Sequence, residues 1–125
     1  MKSPAWTASA ERGAQLHHAG KLPAAARAYE TAITLAERAG DARGVAGARC
    51  GLGRVYLAQN KPHDAYRCFL SASTTPGLSP DSAELCAAII GLGDAEHARM
   101  AFAAAIPHYE RAVGLLVASN AHAAL

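Results

Sequence analysis

Leu52-Gly53-Arg54-Val55-Tyr56, followed by Asn60-Lys61-Pro62 and then by Ala65, Phe69 and Ala72, is the stretch on which the fold turns. Ala65, Phe69 and Ala72 stand at i, i+4 and i+7, so they share one stripe of a helix. Asn60-Lys61-Pro62 interrupts the pattern with a residue that tolerates a left-handed turn and a proline that opens a helix. Two helices joined by a tight turn are the expected product.

Sliding the sequence on itself by 40 residues finds the same unit on either side. Gly13, Gly53 and Gly93 align, as do Leu16 with Tyr56 and Ala25 with Ala65 and Ala105. Tyr29, Phe69 and Tyr109 align next, then Ala32, Ala72 and Ala112. Alanine matches are weak in a chain that is about a quarter alanine, but the ring series draws on seven aromatic residues in all. The spacing predicts three antiparallel helical hairpins in one domain, residues 1–125, with repeats at about 4–40, 41–76 and 79–118 and a short tail at 119–125.

Composition points the same way. Of 125 residues, 51% are hydrophobic and only 6% aromatic, a mixture suited to close helix contact and not to filling a sheet sandwich. The chain is expected to be all-α. Turns are expected at Gly20-Lys21-Leu22-Pro23, at Gly40-Asp41, and over Thr74 to Pro80, where Ser79 caps and Pro80 starts the next helix. Ser3-Pro4 opens the first helix in the same way. Met100 falls where the turn glycine belongs, and Pro107 follows closely, which predicts a kink there or a late helix start near Ala104.

Gly13, Gly53 and Gly93 sit inside helices at a cost of about 1 kcal/mol relative to alanine, which makes sense if another backbone approaches there. Ala25, Ala65 and Ala105 are the expected partners across each hairpin. The three rings are expected to fill the wedge between one hairpin and the next.

These residues resemble the tetratricopeptide repeat, whose pattern runs Leu-Gly-x-x-Tyr, Gly-x-Tyr, then Ala-x-x-x-Phe-x-x-Ala. The second unit carries it as Leu52-Gly53-Arg54-Val55-Tyr56, Asn60, Ala65, Phe69 and Ala72. The first unit has Gly13, Leu16, Gly20, Leu22, Ala25, Tyr29 and Ala32, and the third has Leu92-Gly93, Phe102, Ala105, Tyr109 and Ala112. Nearly the whole chain is covered, in a 40-residue unit that is similar to the long-helix variety of spindle-orientation scaffolds, kinesin light chains and bacterial transcription regulators. The resemblance implies a right-handed superhelical solenoid and a protein-protein interaction module, a scaffold or adaptor binding a partner segment in its concave groove. An alternative it also implies is a regulatory or ligand-sensing piece of a bacterial transcription-regulator-like system. The Ala- and Arg-rich, Lys-poor usage resembles that of a high-GC bacterial gene.

The groove expected from the first helices is lined by Ala14, His17, Gly47, Cys50, Gly51, Arg54, Leu57, Ala87, Ile90, Asp94 and His97. Relatives that grip a terminal carboxylate use Lys, Asn and Arg at positions held here by Ala10, Ala14, Gly51, Ala87 and Gly91. The clamp is absent, so a protein or peptide segment with mostly apolar contacts is expected, with Arg54 as the central polar contact. At the C-terminal end Ala112, Val113, Leu115 and Leu116 are expected to be partly bare, and a homodimer through that end would cover them.

Catalytic and cofactor chemistry find little support. Six histidines include no His-x-x-x-His pair, the three cysteines no Cys-x-x-Cys, and Asp94 and Glu96 diverge on a helix, so neither a metal nor a cofactor nor an enzyme is expected. Cys50 near His17 lacks a third, orienting group. Gly51-Leu52-Gly53 and Gly91-Leu92-Gly93 lie within helices and not after a strand, which fails the context for phosphate binding. A net charge of +2 with no basic cluster argues against nucleic acid and membrane partners. The N-terminus lacks the apolar run of a signal peptide, and three unpaired cysteines fit a reducing compartment, so a cytoplasmic location is expected.

Overall fold

The computed structural model describes residues 4–124, with side chains placed through residue 120. Six helices account for nearly all of it: α1 (Ala5–His18), α2 (Leu22–Arg38), α3 (Ala42–Ala58), α4 (Pro62–Ser73), α5 (Ala83–Ala98) and α6 (Phe102–Ala124). No strand occurs among the described residues, so the chain is all-α as expected. Among those residues no helix is long and apolar enough to cross a membrane.

Each helix packs on the next, and the odd-numbered helices also meet, α1 on α3 and α3 on α5. The turns that permit this recur. Gly20, Asn60 and Met100, 40 residues apart, all take left-handed backbone, with φ of 79°, 59° and 63°. In each the following amide bonds back to the helix, Lys21 to the Leu16 carbonyl, Lys61 to Tyr56 and Ala101 to Glu96, at 2.8–2.9 Å. This closure satisfies carbonyls that a helix end otherwise leaves open. Gly40 does the same between α2 and α3. Met100 therefore accepts the strain expected of it, with its side chain out in solvent.

Several local expectations are corrected. Between α4 and α5 the cap is Ser82, whose hydroxyl accepts from the Leu85 amide at 3.1 Å, while Ser79 and Pro80 belong to the preceding loop. At the start of α1 the capping position is Pro4, and Ser3 lies outside the described residues. Helix α6 begins at Phe102, before Ala104, and runs through Pro107. The proline deprives the Ala103 carbonyl of its donor, but Ala103, Ala104, Ile106 and Pro107 are all exposed, so water can serve instead. Helix α6 also continues to Ala124, so residues 119–124 extend it and do not form a tail.

The core forms three clusters. Ala25, Tyr29 and Ala32 of α2 pack with Ala48, Leu52 and Val55 of α3. Ala65, Phe69 and Ala72 of α4 pack with Ala88, Leu92 and Ala95 of α5 and with Cys50. Leu85, Cys86 and Ile89 of α5 meet Ala112 of α6. The glycines admit rings, not backbone or alanine. A Cβ on Gly13 would stand 2.9 Å from the Tyr29 ring, one on Gly53 2.8 Å from Phe69, and one on Gly93 2.6 Å from Tyr109. The other side of the Tyr29 ring presses on Gly51, and that of Phe69 on Gly91. The Tyr29 and Phe69 rings thus bridge from one helix pair to the next, and the helix-breaking tendency of glycine is outweighed by ring contact from two helices.

Candidate functional site

An open cleft lies between α3 and α5, floored by Tyr29 of α2. Gly47, Cys50, Gly51 and Arg54 stand at i, i+3, i+4 and i+7 along α3 and supply one wall. Ala83, Glu84 and Ala87, from the first turns of α5, supply the other. Small residues on the α3 wall leave the cleft open, because only Arg54 projects a long side chain from it.

Polar groups in the cleft are few and distinct. Arg54 is exposed, and among the described residues it forms no ion pair. The Tyr29 hydroxyl is raised above the ordinary phenol range by burial, a shift that the positive charge of Arg54 partly opposes. Glu84 is held from one side: its Oε1 accepts from Arg43 Nε at 3.0 Å and lies 2.9 Å from Arg43 Nη2. Its Oε2 is buried and, among the described residues, has no partner. A buried carboxylate oxygen left unsatisfied is costly, and a donor brought in by a bound group would satisfy it. The cleft thus offers a cation at Arg54, an acceptor at Glu84 and small apolar surface between them.

Cys50 is not disposed to react. Its thiol points at the Glu84 carbonyl, 3.9 Å away, and burial pushes it up to about 11, so the thiolate is scarce at neutral pH. Cys68 is likewise pushed up to about 11 by burial. Among the described residues no hydrogen bond joins Cys50 to His17, and no three His, Cys, Asp or Glu side chains converge as a metal site would need.

Of the residues expected to line the groove, Gly47, Cys50, Gly51, Arg54 and Ala87 come together in the cleft. The others are not among its lining residues. Ala14 is exposed and His17 half-buried on α1. Leu57 packs on the cluster around Phe69. Asp94 accepts the Tyr109 hydroxyl at 2.6 Å, and His97 sets its ring edge-on to Phe102 at 5.0 Å. Ile90 is exposed on α5, beyond the cleft. Tyr29, Ala83 and Glu84 were not anticipated. Placing the α5 cap at Ser82 would have found the last two, since it sets Glu84 one turn before Ala87 on the same face.

The C-terminal end also differs from expectation in part. Ala112 is buried, its carbonyl accepting from the Cys86 thiol at 3.9 Å, and Leu115 is half-buried against Leu85, Cys86 and Ile89. Val113 and Leu116 are exposed as expected. No protein-family model matches the chain, and no curated protein matches it.

Proposed function

We propose that the chain is a tetratricopeptide-like module of three hairpins in a short right-handed solenoid, a noncatalytic scaffold or adaptor that holds a segment of a protein partner. The observation that carries this reading is the cleft between α3 and α5, where small side chains surround an exposed Arg54 and a Glu84 whose Oε2 is buried without a partner among the described residues. The recurrence of a ring seated on glycines, at Tyr29 and Phe69, supports the repeat assignment.

The partner segment contributes an apolar stretch that lies along Gly47, Cys50 and Ala87. A carbonyl or carboxylate of the segment meets Arg54, and one of its N–H or O–H groups meets Glu84 Oε2. Mostly apolar contact makes the binding weakly dependent on salt.

Selection of peptides from a random display library against the purified chain tests this. Enriched peptides should bind the wild type and lose affinity by about tenfold or more for Arg54→Glu and for Gly47→Gln. Gly47 is suitable because a Cβ there would lie 3.8 Å from Glu84 Cγ, an ordinary contact, so the longer side chain fills the cleft without disturbing the fold. Peptides that ignore both substitutions, or whose binding collapses with moderate salt, overturn the assignment of the cleft.

A further inference from the structure

The face of α2 that carries Leu22, Ala26, Tyr29 and Ile33 packs on the cluster it shares with α3. Forty residues on, Tyr66 and Phe69 of α4 pack in the same manner against the cluster shared with α5. Forty residues further, the corresponding face of α6 carries Phe102, Ile106, Tyr109 and Val113; Tyr109 seats against Gly93 and Phe102 meets the His97 ring, but no further helix among the described residues packs over the face. Phe102, Ile106, Val113, Leu116 and Val117 are 51–61% exposed. The bare face is more apolar than the covered ones, with Ile106 where α2 has Ala26 and Leu116 where α2 has Ala36. Its residues 102, 106, 109, 113 and 116 alternate spacings of four and three, the seam of a helix that packs lengthwise on another helix.

The opposite end of the molecule cannot be the partner. On α3 the helix that receives such a face presents Ala48, Gly51, Leu52 and Val55, and on α5 it presents Ala88, Gly91, Leu92 and Ala95. The corresponding positions on α1 are Ala8, Glu11, Arg12 and Gln15, all exposed. Glu11 would stand where the Tyr109 ring requires a glycine, and Arg12 where it requires leucine. Head-to-tail addition of copies would bury that charge, which is unfavourable.

We propose that α6 pairs with α6 of a second copy about a two-fold axis, burying the Phe102–Ile106–Val113–Leu116 seam on both sides. A symmetric contact uses one patch twice, and α6 is suited to this. Between residues 102 and 120 it carries one carboxylate, Glu110, and one guanidinium, Arg111, so two copies meet without net repulsion. The exposed side chains amount to roughly 500 Å² per copy, hence about 1,000 Å² for the pair, the lower limit for a specific contact, so the dimer is a weak one.

Sedimentation velocity and light scattering on the 125-residue chain, from about 1 to about 200 µM, decide the matter. The mass should rise to two chains and stop. Val113→Glu and Leu116→Lys should each weaken the dimer by about tenfold or more with helical circular dichroism retained, while Ala118→Glu, off the seam, leaves it intact. A monomer at the highest concentration overturns the proposal, and growth beyond two chains overturns the two-fold arrangement. Equal effects of Val113→Glu and Ala118→Glu, or persistence of the dimer in both seam variants, overturn the assignment to this face.

Discussion

The Phe69 ring occupies the space that a Cβ on Gly91 would need. Alanine is ordinarily favoured over glycine inside a helix by about 1 kcal/mol. At Gly91 the sign should reverse, because the ring is held from its other side by Gly53 and has nowhere to withdraw. Gly91→Ala should destabilise by about 1–3 kcal/mol through overpacking. Gly114 is the control: among the described residues nothing lies within 4 Å of a Cβ there, so Gly114→Ala should stabilise by up to about 1 kcal/mol. Urea unfolding of both variants measures the difference.

Removing the ring itself should be worse. Phe69 is among the largest fully buried side chains and touches both its own hairpin, at Gly53, and the next one, at Gly91. Phe69→Ala should cost about 3–5 kcal/mol. In the Phe69→Ala background Gly91→Ala should lose most of its penalty, since the added methyl then enters a cavity. Strict additivity in that double-mutant cycle would show that the two residues do not share the space.

The ring series was legible because its period survives in an alanine-rich background, and the turns because Gly20, Gly40 and Asn60 are residues that accept a left-handed backbone. What faces each helical glycine was not. Spacing along one helix fixes a stripe but does not say which side chain arrives from the next helix, so the alanines were expected where rings stand. Two serines each had the chemistry of a cap, and choosing Ser79 over Ser82 displaced the start of α5 by a turn and hid Glu84 from the cleft. The late start expected near Ala104 does not occur, because the Ala103 carbonyl that Pro107 deprives of a donor lies at the surface, where water can serve it.

Met100 carries a left-handed backbone without the freedom of glycine, φ 63°, and its side chain is 78% exposed. Met100→Gly therefore loses almost no packing and relieves about 1 kcal/mol of backbone strain. It should raise the melting temperature by several degrees. Asn60→Gly, at the corresponding turn, should gain less, because asparagine already tolerates this conformation.

Alkaline pH should weaken the fold through its thiols. Cys50 and Cys68 are pushed up to about 11 by burial from an ordinary 9.0, so the folded state favours the neutral form. That preference is fully present below pH 9 and is lost as the pH rises through 11, because the unfolded chain ionises first and is stabilised by doing so. Stability measured by urea unfolding should be flat near neutrality and fall between pH 9 and 11. Cys50→Ala combined with Cys68→Ala should flatten the early part of that fall. Tyr109, raised to about 12 by burial and by its bond to Asp94, leaves a residual fall that starts near pH 10.

The single tryptophan reports on how α1 is fastened to α3. Asp41 caps α3 through Oδ1, which accepts from the Gly44 amide at 2.9 Å, and its Oδ2 accepts from Trp6 Nε1 at the same distance. Gly44 completes the seat, since a Cβ there would stand 2.7 Å from the indole. One carboxylate thus serves both a helix end and a contact between helices, and no other tryptophan contributes to the emission. Asp41→Ala should destabilise by about 1–2 kcal/mol through the lost cap and shift Trp6 emission to the red as the indole loosens into water. Asp41→Asn keeps an acceptor oxygen for the cap but loses the charge, so it should retain most of the stability while weakening the indole bond. If Asp41→Ala lowers stability yet leaves the emission of the folded state unchanged, the carboxylate acts on α3 alone and α1 is held by the Gly44 contact.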